Sequence, residues 1–169
     1  MPLIKDGRFT SDDWRRPGED SEPPASASKL ILGQGDFAER GKELAEAGHE
    51  IGIEITNDTD PEALAVHFPL LKLIAVPFPK AADGRGFSIA TRLRRLGFAG
   101  ELRAVGFLIA DQYALARSCG FDTIEIPESI AVRQPEPQWL EAQRTMTLAY
   151  QRGYGEMQNI VTARWGNSD

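Results

Sequence analysis

The stretch DGRGFSIATRLRR, Asp83 to Arg95, carries the residues of this chain best suited to chemistry on an anion. Arg85 lies between Gly84 and Gly86, and Arg92, Arg94 and Arg95 follow on what reads as a helix. From Gly84 to Ala110 there are five arginines, the last being Arg103, and one carboxylate, Glu101. A guanidinium presents a planar fork of N–H donors that fits the paired oxygens of a carboxylate, sulfate or phosphate. Glycine lets the backbone turn tightly or come close to a ligand. A helix entrance adds unpaired N–H groups and the positive end of the dipole. A turn of about 100° per residue puts Ile89, Ala90, Leu93 and Leu96 on an apolar stripe. It puts Ser88, Arg92 and Arg95 on one polar flank and Arg94 on the other. The anion-binding candidates are therefore Gly84, Arg85, Gly86, Ser88, Arg92, Arg95 and Arg103, with Gln112 from the next helix entrance. The plainer alternative is a solvated face whose arginines meet carboxylates elsewhere, which suits Arg94 and Arg95 best. DGRG has the spacing of neither a phosphate loop nor a dinucleotide fingerprint.

Three residues are candidates for catalysis. Asp83 is the acid beside the arginine loop, either a base or the cap of the helix. Asp111 opens a helix after a strand, either as a first-turn acid that complements the dipole or as the ion-pair partner that holds an arginine. Cys119 is the only cysteine. It sits at a helix C-terminus beside Gly120, the wrong end for lowering a thiol pKa, and reads as a small buried hydrophobe. His49 and His67 stand in no metal-ligand spacing, and one cysteine cannot hold an iron–sulfur cluster. Neither a metal nor a cofactor is expected.

The elements that must position these residues alternate along the chain. LIKDGRFTSDDW, residues 3–14, reads as a short hairpin around Asp6-Gly7. Residues 15–28, rich in Pro, Ser and Glu, read as a mobile loop. Five strands follow: KLILGQ, EIGIEI, LKLIAVPF, ELRAVGFL and DTIEI. Helices separate them, with Asp36 and Gly48 as expected caps of the first and Asp60-Pro61 starting the second. A last helix, PQWLEAQRTMTLAYQ, precedes an irregular or interface-forming tail over residues 151–169. Such alternation argues for a single α/β domain. The expectation is a three-layer open sheet of about five mostly parallel strands, with helices on both faces and the hairpin appended. A partial β/α barrel is the alternative, since a closed one needs about 250 residues.

Composition bounds the partners. The chain has 169 residues, 41% of them hydrophobic, and a net charge of -6, with a pI near 5.0. That disfavours nucleic acid and anionic membranes and leaves a small anion or an acidic protein surface for the local basic patch. The opening MPLIKDGRF has charges by residue five, and no apolar run reaches the roughly 18 residues of a membrane span. A cytoplasmic protein is expected.

The run DGRGFSIATRLRRLGFAGELRAVGFLIADQYALARSCGFDTIEI, Asp83 to Ile126, resembles the bacterial domain-of-unknown-function family 934. IKDGR near the start and LAYQ near the end fit it too. The match takes in Asp83, Gly84, Arg85, Gly86, Ser88, Arg94, Arg103, Asp111, Gln112 and Cys119. Phe107 and Ala110 depart from it, standing where members have an acid and a base. The resemblance implies a role beside assimilatory sulfite reduction, as an accessory protein or an oxidoreductase, with sulfite reductase or another sulfate-assimilation enzyme as partner. The expected function is an accessory protein that binds a small oxyanion or an acidic partner through the arginine loop and helix. An enzyme acting on a sulfur oxyanion or nucleotide is the alternative. A structural subunit, with the Trp139 helix and the tail forming a homo-oligomer or complex interface, is another.

Overall fold

All five expected strands form, and three more join them in one sheet. The protein is described from a computed structural model, in which residues 1–17, 28–80 and 82–145 are placed. β1 (Leu3–Lys5) and β2 (Arg8–Thr10) make the expected hairpin. Asp6 and Gly7 both take positive φ, 51° and 76°, the geometry a two-residue turn needs to match strand twist. β3 (Trp14–Arg15) was not expected. Then come β4 (Lys29–Gly33), α1 (Gln34–Glu46), β5 (Glu50–Glu54), α2 (Pro61–Ala65), β6 (Leu71–Phe78), α3 (Arg85–Arg95) and β7 (Glu101–Gly106). A 3₁₀ turn (Ala110–Gln112), α4 (Tyr113–Ser118), β8 (Thr123–Glu125) and α5 (Glu128–Arg133) follow. Residues 136–145 are helical. Asp60 caps α2 by accepting from the Glu62 N–H. Asp36 lies inside the first turn of α1, whose N-cap is Gly33.

The strand order is β2-β1-β8-β7-β6-β5-β4-β3. β3 to β8 are parallel, β1 is antiparallel to β8, and β2 to β1. This corrects the five-strand, three-layer expectation. Each new strand from β4 to β8 is laid beside the one before it. A right-handed crossover to the next-door strand always lands on the same face, so a sheet whose order never reverses carries its helices on one side. The partial-barrel alternative fits: the sheet is a curled, eight-stranded half-barrel.

The period of two separates the faces. Leu30, Leu32, Ile51, Ile53, Ile74, Val76, Leu102, Ala104, Ile124 and Ile4 point to the helical side. There they pack with Phe37 and Leu44 of α1, Leu64 of α2, Ile89 and Leu93 of α3, and Tyr113 of α4. The inner face has a smaller apolar cluster of Ile31, Leu73 and Ala75 under Trp14 and Val105. Trp139 is fully buried in the helical-side core. Its Nε1–H donates to the Gln134 carbonyl at 2.9 Å, and its ring meets Tyr113 edge-on at 6.1 Å. It therefore belongs to the interior of its own chain rather than to an exposed interface. Most of the loop expected over 15–28, and the whole tail over 151–169, lie outside the described residues.

Arg94, on the flank opposite Arg92, is a clamp. It donates to the carbonyls of Phe98 and Gly100 (2.8 Å each), to the Gly120 carbonyl (2.8 and 3.0 Å) and to Asp122 Oδ2 (2.6 Å). The entry to β7 and the entry to β8 are thereby tied to one side chain. Arg94→Ala is expected to lower stability by about 1.5–3 kcal/mol, the range for hydrogen bonds to a charged group. Lysine, without the planar fork, should recover little of it. Urea denaturation of both variants is the check.

Candidate functional site

The arginine loop leaves the carboxyl end of β6, the edge where α/β sheets place ligands. Its geometry is already self-occupied. Asp83 accepts from the Arg85 amide at 3.2 Å and from Arg85 Nε and Nη2 at 3.0 and 2.7 Å. Asn57 Nδ2 donates to the same carboxylate at 3.3 Å. The Arg85 side chain holds the Asp83 carboxyl well below the usual range, at about 2. The anion at the entrance of α3 is thus the protein's own. Neither flanking glycine has positive φ. Gly84 has open space around it, whereas a Cβ on Gly86 would lie 2.5 Å from the Phe78 ring. Gly86 is small so that the first turn of α3 can rest on β6.

Arg85, Ser88, Arg92 and Arg95 fall on one exposed stripe of α3, spaced at three and four residues and about 15 Å long. Arg92 pairs with Glu62 of α2. Arg95 has no ion-pair partner among the described residues. Beside the stripe runs a groove of about 610 Å³ lined by Glu62, Phe87, Ser88, Thr91, Arg92, Arg95, Leu96 and Cys119. The structure therefore brings Ser88, Arg92, Arg95 and Cys119 together.

Arg103, Asp111 and Gln112 lie apart from this groove. Asp111 is exposed at the start of the 3₁₀ turn and borders a different groove, between Ala110, Ala114, Gln138 and Glu141. Gln112 Oε1 accepts from the Ile109 N–H at 3.2 Å. Of the two positions expected to depart from the family pattern, Phe107 is 43% exposed and Ala110 is buried. A larger, mainly apolar groove of about 760 Å³ lies between α1 and α2, walled by Phe37, Ile53, Leu64, His67 and Leu70.

Arg103 belongs to the inner face of the half-barrel, where the register aligns Glu54, Ala75, Arg103, Thr123 and Lys5 in one row. It is 1% exposed and all five of its N–H groups are used. Nη1 and Nη2 bind Asp12 at 2.6 and 3.0 Å. Nε and Nη2 bind Glu101 at 3.1 and 3.0 Å, and Nη1 reaches Glu125 at 3.3 Å. Arg16 grips Glu125 with both terminal nitrogens at 2.9 and 2.8 Å and donates from Nε to Glu54 at 2.8 Å. Burial opposes charge on Asp12, yet bonds from Arg103 and from the Trp14 N–H outweigh it and hold its carboxyl below the ordinary range. The network was missed in reading the sequence as an arginine helix. Its signal was there in ELRAV and TIE, where a charged or polar residue takes every second place in strands otherwise apolar.

Gly86→Ala should cost about 1–3 kcal/mol through overpacking against Phe78, while Gly84→Ala stays within about 0.5 kcal/mol of wild type; denaturant midpoints decide. The acid response follows from Asp12. Its folded pKa is depressed below the ordinary 3.8, so on acidification the unfolded chain takes up the proton first. The Asp12 contribution is full above the ordinary 3.8 and is lost as pH falls from there through the lower folded value. Thermal melts from pH 6 to 3 should show a loss that flattens in Asp12→Asn.

No curated protein matches the chain. The family profile described as "Bacterial protein of unknown function (DUF934)" matches residues 52–161, a span that takes in β6, the arginine loop, α3, Arg103 and Cys119. The chain is a member of that bacterial family.

Proposed function

We propose that this protein is a non-catalytic accessory protein of assimilatory sulfite reduction that docks an acidic surface of its partner on the exposed stripe of α3. The observation that carries the reading is Arg95. It stands exposed and without an ion-pair partner among the described residues, one turn from Arg92, beside a groove with apolar walls at Phe87 and Leu96. Two arginines against Glu62 make this groove basic in a chain of net charge -6. Desolvated arginine beside apolar surface is the usual composition of a protein interface. The Asp83 carboxylate already fills the helix entrance, which favours a protein surface over a small oxyanion at this loop. Sulfite reductase is the partner suggested by the family resemblance.

Purified sulfite reductase from the same host should bind the immobilised protein at low ionic strength. Binding should weaken as salt shortens the reach of the charges. The double substitution Arg92→Glu, Arg95→Glu should weaken it about tenfold or more, because it sets like charges against the partner. No binding at low salt, or equal binding by the double variant, would sink the proposal.

A further inference from the structure

The inner face of the half-barrel carries a second inference, independent of the α3 stripe. We propose that Arg103 is a binding site for a small anion with two paired oxygens, a carboxylate or a sulfur or phosphorus oxyanion. The segment Ser11–Arg16 holds the site closed by laying the Asp12 carboxylate on the Arg103 fork.

Four observations converge on this. First, Asp12 meets Nη1 and Nη2 at 2.6 and 3.0 Å, the two-point contact by which a guanidinium holds a free carboxylate or oxyanion. Second, the fork is fixed by the sheet and not by the segment over it. Glu101 on β7 takes Nε and Nη2, and Glu101 is itself fixed by the Thr123 hydroxyl of β8 at 2.6 Å. Removing Asp12 therefore leaves the fork aimed at the same place. Third, Asp12 is surplus to charge balance. Arg103 already faces Glu101 and Glu125, and in the network it forms with Arg16 two guanidiniums meet four carboxylates, counting Asp12 and Glu54. Even so, the bonds that hold the Asp12 carboxyl below its ordinary range show that this spot favours negative charge. Fourth, the Asp12 side chain is 21% exposed while Arg103 is 1% exposed. The ligand position is open to solvent and its receptor is not.

The occupant comes from a connection of three residues, Ser11–Asp13, between β2 and β3. An external anion must compete with a carboxylate tethered beside the site. Its apparent affinity falls by the fraction of time the segment is lifted. A partner that draws the segment aside would open the site.

The test uses the full chain with Asp12→Ala and Asp12→Asn, the second keeping the size of the side chain. Acetate, sulfite and phosphate are titrated separately at constant ionic strength, followed by calorimetry and by the melting temperature. The expected result is that at least one anion binds a variant about tenfold or more tighter than wild type, as removal of an internal competitor requires. Saturation should return part of the lost melting temperature. Which of the three anions does so names the ligand class. Circular dichroism confirms the fold before titration. The proposal fails if the folded variants, or the only one that folds, gain no more from any of the three anions than wild type does. It fails equally if neither variant folds with or without anion, since the anion then cannot replace Asp12.

Discussion

Three residues, Ser11 to Asp13, separate the last residue of one edge strand from the first of the other. Eight strands laid flat at about 4.8 Å spacing would put β2 and β3 about 34 Å apart. Four peptide steps, from Thr10 to Trp14, reach at most about 14 Å. The sheet has to curl until its edges come within that reach, and the covalent chain enforces it. A concave face follows from the curl, and the connecting segment lies at its opening. There Trp14 covers Gly52, where an added Cβ would stand 3.2 Å from its ring. Asp12 and Arg16 from the same stretch reach the charged residues of β5, β7 and β8.

That constraint also divides the two kinds of arginine. The right-handed crossovers between adjacent parallel strands put α1 to α4 on the convex side, so the exposed flank of α3 faces α2, the α4 region or solvent. Arg92 and Arg95 border a groove there, with Arg85 at the head of their stripe and Arg94 turned inward to the loops. Arg103 is close to them in sequence but lies across the sheet, because β7 alternates its side chains between faces. One set is exposed and available to a partner. The other is buried among carboxylates, where an unpaired charge would be far too costly to keep. Arg103 therefore needs negative partners there, which Glu101 and Glu125 supply from the sheet and Asp12 from the connecting segment.

Much of the candidate site was legible locally. The hairpin at Asp6-Gly7, the Asp60-Pro61 start of α2 and the apolar stripe of α3 rest on contacts within a few residues, which sequence spacing reports directly. The contact of Asp83 with the Arg85 amide was equally local, although the N-cap of α3 is Gly84 and not the expected Asp83. What escaped was long-range. Arg103 was grouped with Arg85, Arg92 and Arg95 because it is near them along the chain. Its partners Asp12 and Glu125 lie far away in sequence, and nothing in the spacing of one strand identifies the opposite bank of a pair.

By itself the sequence determined the five parallel strands, their helices, the hairpin and the arginine-rich α3. These follow from period, capping and turn chemistry, all of which act over one element. The tertiary structure alone decided the curl of the sheet, the single helical face and the burial of Trp139. It also decided the division of the arginines between an exposed stripe and an enclosed network. The physical reason is chain connectivity. A short link between the two edge strands converts local alternation into an inside and an outside, and only that conversion says which charges must pair and which stay free.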